Sequence, residues 1–145
     1  MMPFKVIAAL FRANIEQDTR IFVNQGGTSS GKTYTIMQVL VYFALSDAGS
    51  VITVVGRDLP NLKVGAIRDL KTILAKSEWL SSMFVYSESG HFARCANGSI
   101  IEFKSYEDEQ DARSGKRDYL FLNEANGISF DIYWQLQIRT RKRVY

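Results

Sequence analysis

The chain has 145 residues, of which 46% are hydrophobic, 12% aromatic and 23% charged, which fits one globular domain and excludes a chain too polar to form a core. No apolar run reaches the roughly 18 residues of a membrane span, and Met1 to Leu10 does not read as a secretory signal. The net charge of +3 belongs to the tail: without Arg139, Arg141, Lys142 and Arg143, 14 basic residues face 15 acidic ones, so global charge is no argument for nucleic-acid binding.

In chain order, Val6, Ile7, Leu10 and Phe11 have the three-to-four spacing of a short amphipathic helix over Phe4 to Asn14. Ile21-Phe22-Val23 reads as a strand that breaks into the run Gly26-Gly27-Thr28-Ser29-Ser30-Gly31-Lys32-Thr33, after which Tyr34 to Leu45 reads as a buried helix. Asp47 to Ser50 is a turn, and the β-branched run Val51 to Val55 predicts a strand covered on both faces. Leu59 to Lys76 is read as one helix, with Pro60 in its first turn. His91 to Ala96 and Ser99 to Tyr106 flank Asn97-Gly98, a hairpin signal. Glu107 to Lys116 is a polar loop, Tyr119 to Leu122 a buried strand, and Ile128 to Ile138 a helix. This alternation predicts an α/β fold with a mainly parallel central sheet flanked by helices, plus a β-hairpin insertion. Cys95 is expected in the core and His91 at the surface. One cysteine and one histidine make neither an internal disulfide nor a zinc cage, so a reducing cytoplasm is the expected compartment.

The run from Gly26 to Thr33 fits the phosphate-binding pattern G-x-x-x-x-G-K-[ST], and it lies between a predicted strand and a predicted helix. In that setting backbone N–H groups and the positive helix end converge on phosphate oxygens. Lys32 is then expected to meet the β- and γ-phosphates of ATP, and the Thr33 hydroxyl to bind Mg²⁺. Such a cradle needs an acidic partner where a neighbouring apolar strand ends. Glu124 follows the strand Tyr119 to Leu122 and suits the polarisation of water. Asn123 stands where an aspartate is usual; its amide accepts a hydrogen bond but brings no charge to the metal. The blander reading of Asn123-Glu124 is a cap for the next helix.

Three blocks in order, Asn24 to Thr33, Gly56 to Lys63 and Asp118 to Asn126, resemble the large terminase subunit of tailed bacteriophages from about Asp18 to Arg141. The resemblance implies a P-loop NTPase fold of the RecA/ASCE-like kind, with residues 1–145 as an N-terminal ATPase domain; departing from the family, the domain is expected to be incomplete and without a nuclease domain. It implies a motor that packages viral double-stranded DNA into procapsids, working with a small terminase subunit and a portal as a homo-oligomeric ring in the host bacterial cytoplasm. Hydrolysis is expected to be slow in isolation. Two other readings stay open: a non-catalytic nucleotide-binding or assembly fragment, and another P-loop DNA motor such as a helicase.

An arginine that neutralises charge in phosphoryl transfer is the usual companion of such a site. The candidates are Arg57, Arg113, Arg117 and Arg139; the resemblance favours one before the second motif, and Arg113 is taken as the catalytic choice. The basic tail is expected to touch DNA phosphates or, by preference, to be a helix end followed by a strand whose partners are absent.

Overall fold

The computed structural model describes residues 8–25, 31–106, 112–113 and 115–145. Its elements are α1 (Ala8–Ala13), α2 (Lys32–Ser46), β1 (Val51–Val55), α3 (Leu59–Val64), α4 (Ala66–Leu74), α5 (Glu78–Met83), β2 (Phe84–Ser87), β3 (Phe92–Cys95), β4 (Ile100–Lys104), β5 (Arg117–Leu122), a 3₁₀ turn (Ala125–Gly127), α6 (Phe130–Ile138) and β6 (Thr140–Val144).

The strands form one sheet in the order β2-β3-β4-β1-β5-β6. β1 runs parallel to β4 and β5, and β5 parallel to β6, whereas β2-β3 and β3-β4 are antiparallel. Alternate residues of the central strands serve opposite faces. Ile52, Val54, Tyr119 and Phe121 pack with α2 and α4, while Val55, Leu120 and Leu122 pack with Ile132 and Leu136 of α6. The result is a helix-sheet-helix sandwich, which explains why β1 and β5 are apolar runs rather than alternating ones. β2 and β3 do alternate: Phe84, Ala93 and Cys95 are buried, and Val85 and Arg94 exposed.

After Lys32, α2 carries no charged residue, and Ile36, Met37, Val39 and Leu40 are essentially fully buried. Each such side chain removed from water contributes about 1.5–3 kcal/mol before entropy is counted. Its C-terminal carbonyls are met by the hairpin turn: Asn97 Nδ2 donates to Ala44 O at 2.8 Å and to Leu45 O at 3.3 Å. Gly98, at φ 91, supplies the left-handed residue that this turn requires.

Several expectations are corrected. Ile21-Phe22-Val23 is not a full strand: Ile21 makes one parallel bridge to Val144, and Phe22 N–H donates to Val144 O at 2.9 Å. Leu59 to Lys76 is not one helix. It breaks at Gly65 (φ −114, ψ −101) into α3, capped by Asp58 Oδ1 accepting from Asn61 N at 2.8 Å, and α4. α5 and β2 were not anticipated, because Glu78 to Ser87 shows neither period clearly. The predicted hairpin is present as β3 and β4, and β4 is itself the parallel neighbour of β1. Of the predicted first helix, residues 8–13 are helical and 4–7 lie outside the described residues. His91 is half-buried rather than at the surface, with φ 56; Cys95 is buried as expected.

The tail is a strand with its partners present. Lys142 Nζ bonds Asp47 Oδ2, Arg143 donates to Ile15 O at 2.9 Å, and Tyr145 Oη donates to Asn14 O at 2.6 Å. Phe22 and Tyr145 stack at 4.8 Å. The four tail cations that dominate the net charge thus face intramolecular acceptors; Arg139 donates to Gln135 Oε1 at 2.7 Å, and Arg141 lies 3.9 Å from Asp118.

Candidate functional site

β1, β4, β5 and β6 are parallel and end at one edge of the sheet, where open α/β sheets bind ligands. Ile21, bridged in parallel to Val144, leads the following chain to the same edge. Gly26, Gly27, Thr28, Ser29 and Ser30 lie outside the described residues. Gly31 is described: at φ 73 it occupies the left-handed region that favours glycine, directly before α2. The first turn of α2 has no acidic residue, so its dipole end favours an anion.

At the end of β5, Asn123 is 9% exposed, and its N–H donates to Val55 O at 2.9 Å. Thr33 Oγ1 donates to Asn123 Oδ1 at 3.2 Å, which joins the glycine-rich segment to the strand end. The other side of the amide faces Gly65: a Cβ there would stand 3.8 Å from Asn123 Nδ2 and 3.1 Å from Asn61 O. Glu124 is exposed, at φ 54 and ψ 62. This left-handed conformation costs a residue with a Cβ roughly 1–2 kcal/mol, and strain of this kind gathers at functional sites. The turn closes through Gly127 N–H to Glu124 O at 2.9 Å. A Cβ on Gly127 would lie 3.3 Å from Arg57 Cβ, so the Arg57 stem lies against the turn that carries Glu124.

Thr33, Asn123 and Glu124 divide two clefts. The larger, about 890 Å³, is also lined by Lys32, Gln25 and apolar residues such as Phe130 and Tyr145. The smaller, about 270 Å³, is also lined by Arg57, Asn61, Arg68 and Asp69. Burial raises the Asp69 carboxyl above the ordinary carboxylate range, and Arg68 opposes the shift. Tyr34, next to Thr33, is raised by its own burial and by the charge of Asp69. Sequence reasoning missed Asp69, because the single long helix it assumed hid the turn at Gly65 that brings α4 to the mouth of the sheet.

The arginines separate. Arg57 borders the smaller cleft. Arg117 is 3% exposed; its Nε donates to Thr53 Oγ1 and its guanidinium to Leu136 O, both at 3.1 Å. Burial lowers its pKa, with Tyr106 and Glu102 opposing. A guanidinium held in this way cannot reach a neighbouring subunit, which corrects its candidacy. Arg139 is taken up by Gln135 and lines neither cleft. Arg113 is exposed and also lies outside both clefts.

The donor set fits Mg²⁺ bound together with phosphate. Thr33 and Asn123 offer hard oxygens 3.2 Å apart beside the Glu124 carboxylate. Among the described residues no group of three His, Cys, Asp or Glu side chains could hold a metal ion alone. Mg²⁺ keeps its waters and takes phosphate oxygens, so it needs few protein donors.

Residues 18–144 match the family model described as phage terminase large subunit. The chain belongs to that family. No curated protein matches it. Among solved structures, the large terminase of a thermophilic bacteriophage superposes with a TM-score of 0.72 at 17% identity, covering 89% of this chain and 33% of that one. The ATPase domain of the Thermus phage P74-26 large terminase gives 0.69 at 18%, covering 98% and 63%. The thermophilic phage protein in complex with ADP gives 0.69 at 15%, covering 89% and 33%. The fold is therefore the P-loop NTPase fold of terminase ATPase domains, and the chain spans less than two thirds of these relatives. Among the described residues no helix is long and apolar enough to cross a membrane.

Proposed function

We propose that this chain binds and hydrolyses ATP as a motor domain of a phage large terminase, powering the packaging of viral double-stranded DNA into procapsids. The observation that carries the reading is the Thr33–Asn123 contact, which sets Lys32, Thr33 and Glu124 around one cleft in a chain of this family. The relative that holds ADP supports nucleotide binding here.

In this reading Gly26 to Thr33 hold the triphosphate, with Lys32 at the β- and γ-phosphates. Thr33 and Asn123 would hold Mg²⁺, which would neutralise charge on the phosphate oxygens. Glu124 orients a water and takes its proton as the water oxygen bonds the γ-phosphorus; the bond from that phosphorus to the β,γ-bridging oxygen breaks, and ADP leaves. Arg113 acts from an adjacent subunit of a homo-oligomeric ring, so the isolated chain turns over slowly. Residues 1–145 serve as the front of the ATPase domain, and DNA cleavage is not assigned to them. The small terminase subunit and the portal are the expected partners, in the host bacterial cytoplasm.

The test is calorimetric titration with a non-hydrolysable ATP analogue alongside a phosphate-release assay with DNA and procapsids. Lys32→Ala should abolish binding. Unchanged affinity in that variant would remove the nucleotide site, and binding without any phosphate release in the assembled system would remove the motor.

A further inference from the structure

Asn123 leaves this site one negative charge short at the place where Thr33 meets the strand end. The smaller cleft offers a charge from another element. Thr33, Asn123 and Glu124 line it together with Asp69, which stands in the first turn of α4. Two features hold α4 there. Gly65 breaks the helical run, and its bareness lets the backbone approach Asn61 O and the Asn123 amide, at 3.1 and 3.8 Å from where a Cβ would stand. Leu70, Ile73 and Ala66, all buried, then seat the helix in the same core as α2. Asp69 N–H donates to Gly65 O at 3.0 Å, fixing the residue in the turn beside the cleft.

The Asp69 carboxylate favours the dipole of α4 from its first turn but is held by no side-chain partner. Among the described residues it accepts no hydrogen bond and forms no ion pair, although Arg68 is adjacent in sequence. Other part-buried acids are used: Asp58 caps α3, Asp47 bonds Lys142 and Tyr119, Asp118 accepts from Val51 N, and Glu102 accepts from Thr53. A half-buried carboxylate kept without a partner, facing a cleft with room for several waters, is placed to accept from water on a cation.

We propose that Asp69 acts through water as the metal-positioning carboxylate that Asn123 does not provide, holding the hydration shell of the Mg²⁺ that accompanies the nucleotide at Thr33. The inference rests on the nucleotide reading of Lys32 and Thr33. It is consistent with the habit of Mg²⁺ of retaining several waters and binding through one or two carboxylates plus substrate phosphates. Such outer carboxylates typically change metal affinity by roughly 10- to 100-fold.

The experiment is calorimetric titration of a non-hydrolysable ATP analogue with and without Mg²⁺, the metal-free arm in EDTA, for the unsubstituted chain, Asp69→Asn, Asn123→Asp and the double variant. Asp69→Asn should leave the metal-free affinity unchanged and cut the Mg²⁺-dependent gain by roughly tenfold. Asn123→Asp should restore most of that gain in the double variant, since the charge is then supplied directly. Circular dichroism melts should show Asp69→Asn as stable as the parent. A full Mg²⁺ gain in Asp69→Asn overturns the proposal, and so does an equal loss in both arms, which marks a structural role. Failure of the unsubstituted chain to bind the analogue in either arm overturns the nucleotide reading itself and the proposal with it.

Discussion

Thr33 Oγ1 and Asn123 Oδ1 lie 3.2 Å apart although 90 positions separate them in the chain. The hydroxyl is paired with a neutral amide, so neither side chain of this contact itself carries a charge for a cation. Replacing Asn123 by Asp puts a carboxylate at a position only 9% exposed. Without metal that burial costs on the order of a few kcal/mol. Asn123→Asp should therefore melt lower than the parent in EDTA and recover the difference with Mg²⁺ and nucleotide. Thermal melts in the two buffers measure this, and an unchanged melting point in EDTA would contradict it.

Glu124 has little to do with stability: it is exposed, and its side chain caps nothing. Glu124→Gln keeps its size and hydrogen-bonding reach but removes the base. Nucleotide affinity and melting temperature should stay within error, while phosphate release in the assembled system falls by roughly 10²- to 10⁴-fold. Single-turnover phosphate release checks the prediction; a loss smaller than tenfold would move the role of base elsewhere.

How far the sequence was legible follows from the range of each interaction. α2 and β5 could be read because their apolar runs are long, and the Asn97-Gly98 turn because its chemistry is local. The break at Gly65 could not be read. Leu62, Ile67, Leu70 and Leu74 keep a helical spacing straight through it, and Leu62 and Ala66 on its two sides are both buried in the one core. The same bend hides Asp69 from any sequence argument. Ile21 to Val23 misled in the opposite direction: β propensity is present, yet only one bridge forms, to a β6 whose five residues Thr140–Val144 are mostly polar. The tail strand was legible as a strand but its partners were not, because Asp47, Asp118, Gln135 and Ile15 O reach it from distant parts of the chain or from the preceding helix.

Arg113 and Arg117, four residues apart, should behave oppositely. Arg117 ties β5 to Thr53 of β1 and to the Leu136 carbonyl at the end of α6, and Thr53 Oγ1 in turn donates to Glu102 Oε1 at 2.7 Å. Arg117→Ala strands these buried acceptors and should cost about 3 kcal/mol in urea denaturation. Arg113 is exposed, so Arg113→Ala should cost far less in urea than Arg117→Ala and act chiefly on turnover in the assembled ring. Doping the parent with Arg113→Ala subunits should depress phosphate release more than dilution alone; strictly proportional loss would rule out a role in trans.

Asp47 gives the fold a dependence on acid. Its hydrogen bond with Lys142 holds the carboxyl below the ordinary carboxylate range, helped by the Tyr119 hydroxyl at 3.0 Å and opposed by burial. A depressed folded-state pKa means that the unfolded chain takes up the proton first as pH falls. The stabilisation is complete above the unfolded value of about 4 and is lost as pH drops through the lower folded value. The pair is partly exposed, 29% for Asp47 and 47% for Lys142, so solvent screening limits it to about 1 kcal/mol. Asp47→Asn should melt a few degrees below the parent at pH 7, and the two curves should converge as pH falls below 4. Melting temperatures recorded from pH 7 to pH 2 test this; a gap that stayed constant to the lowest pH would show that the carboxylate charge is not what holds β6 to the turn after α2.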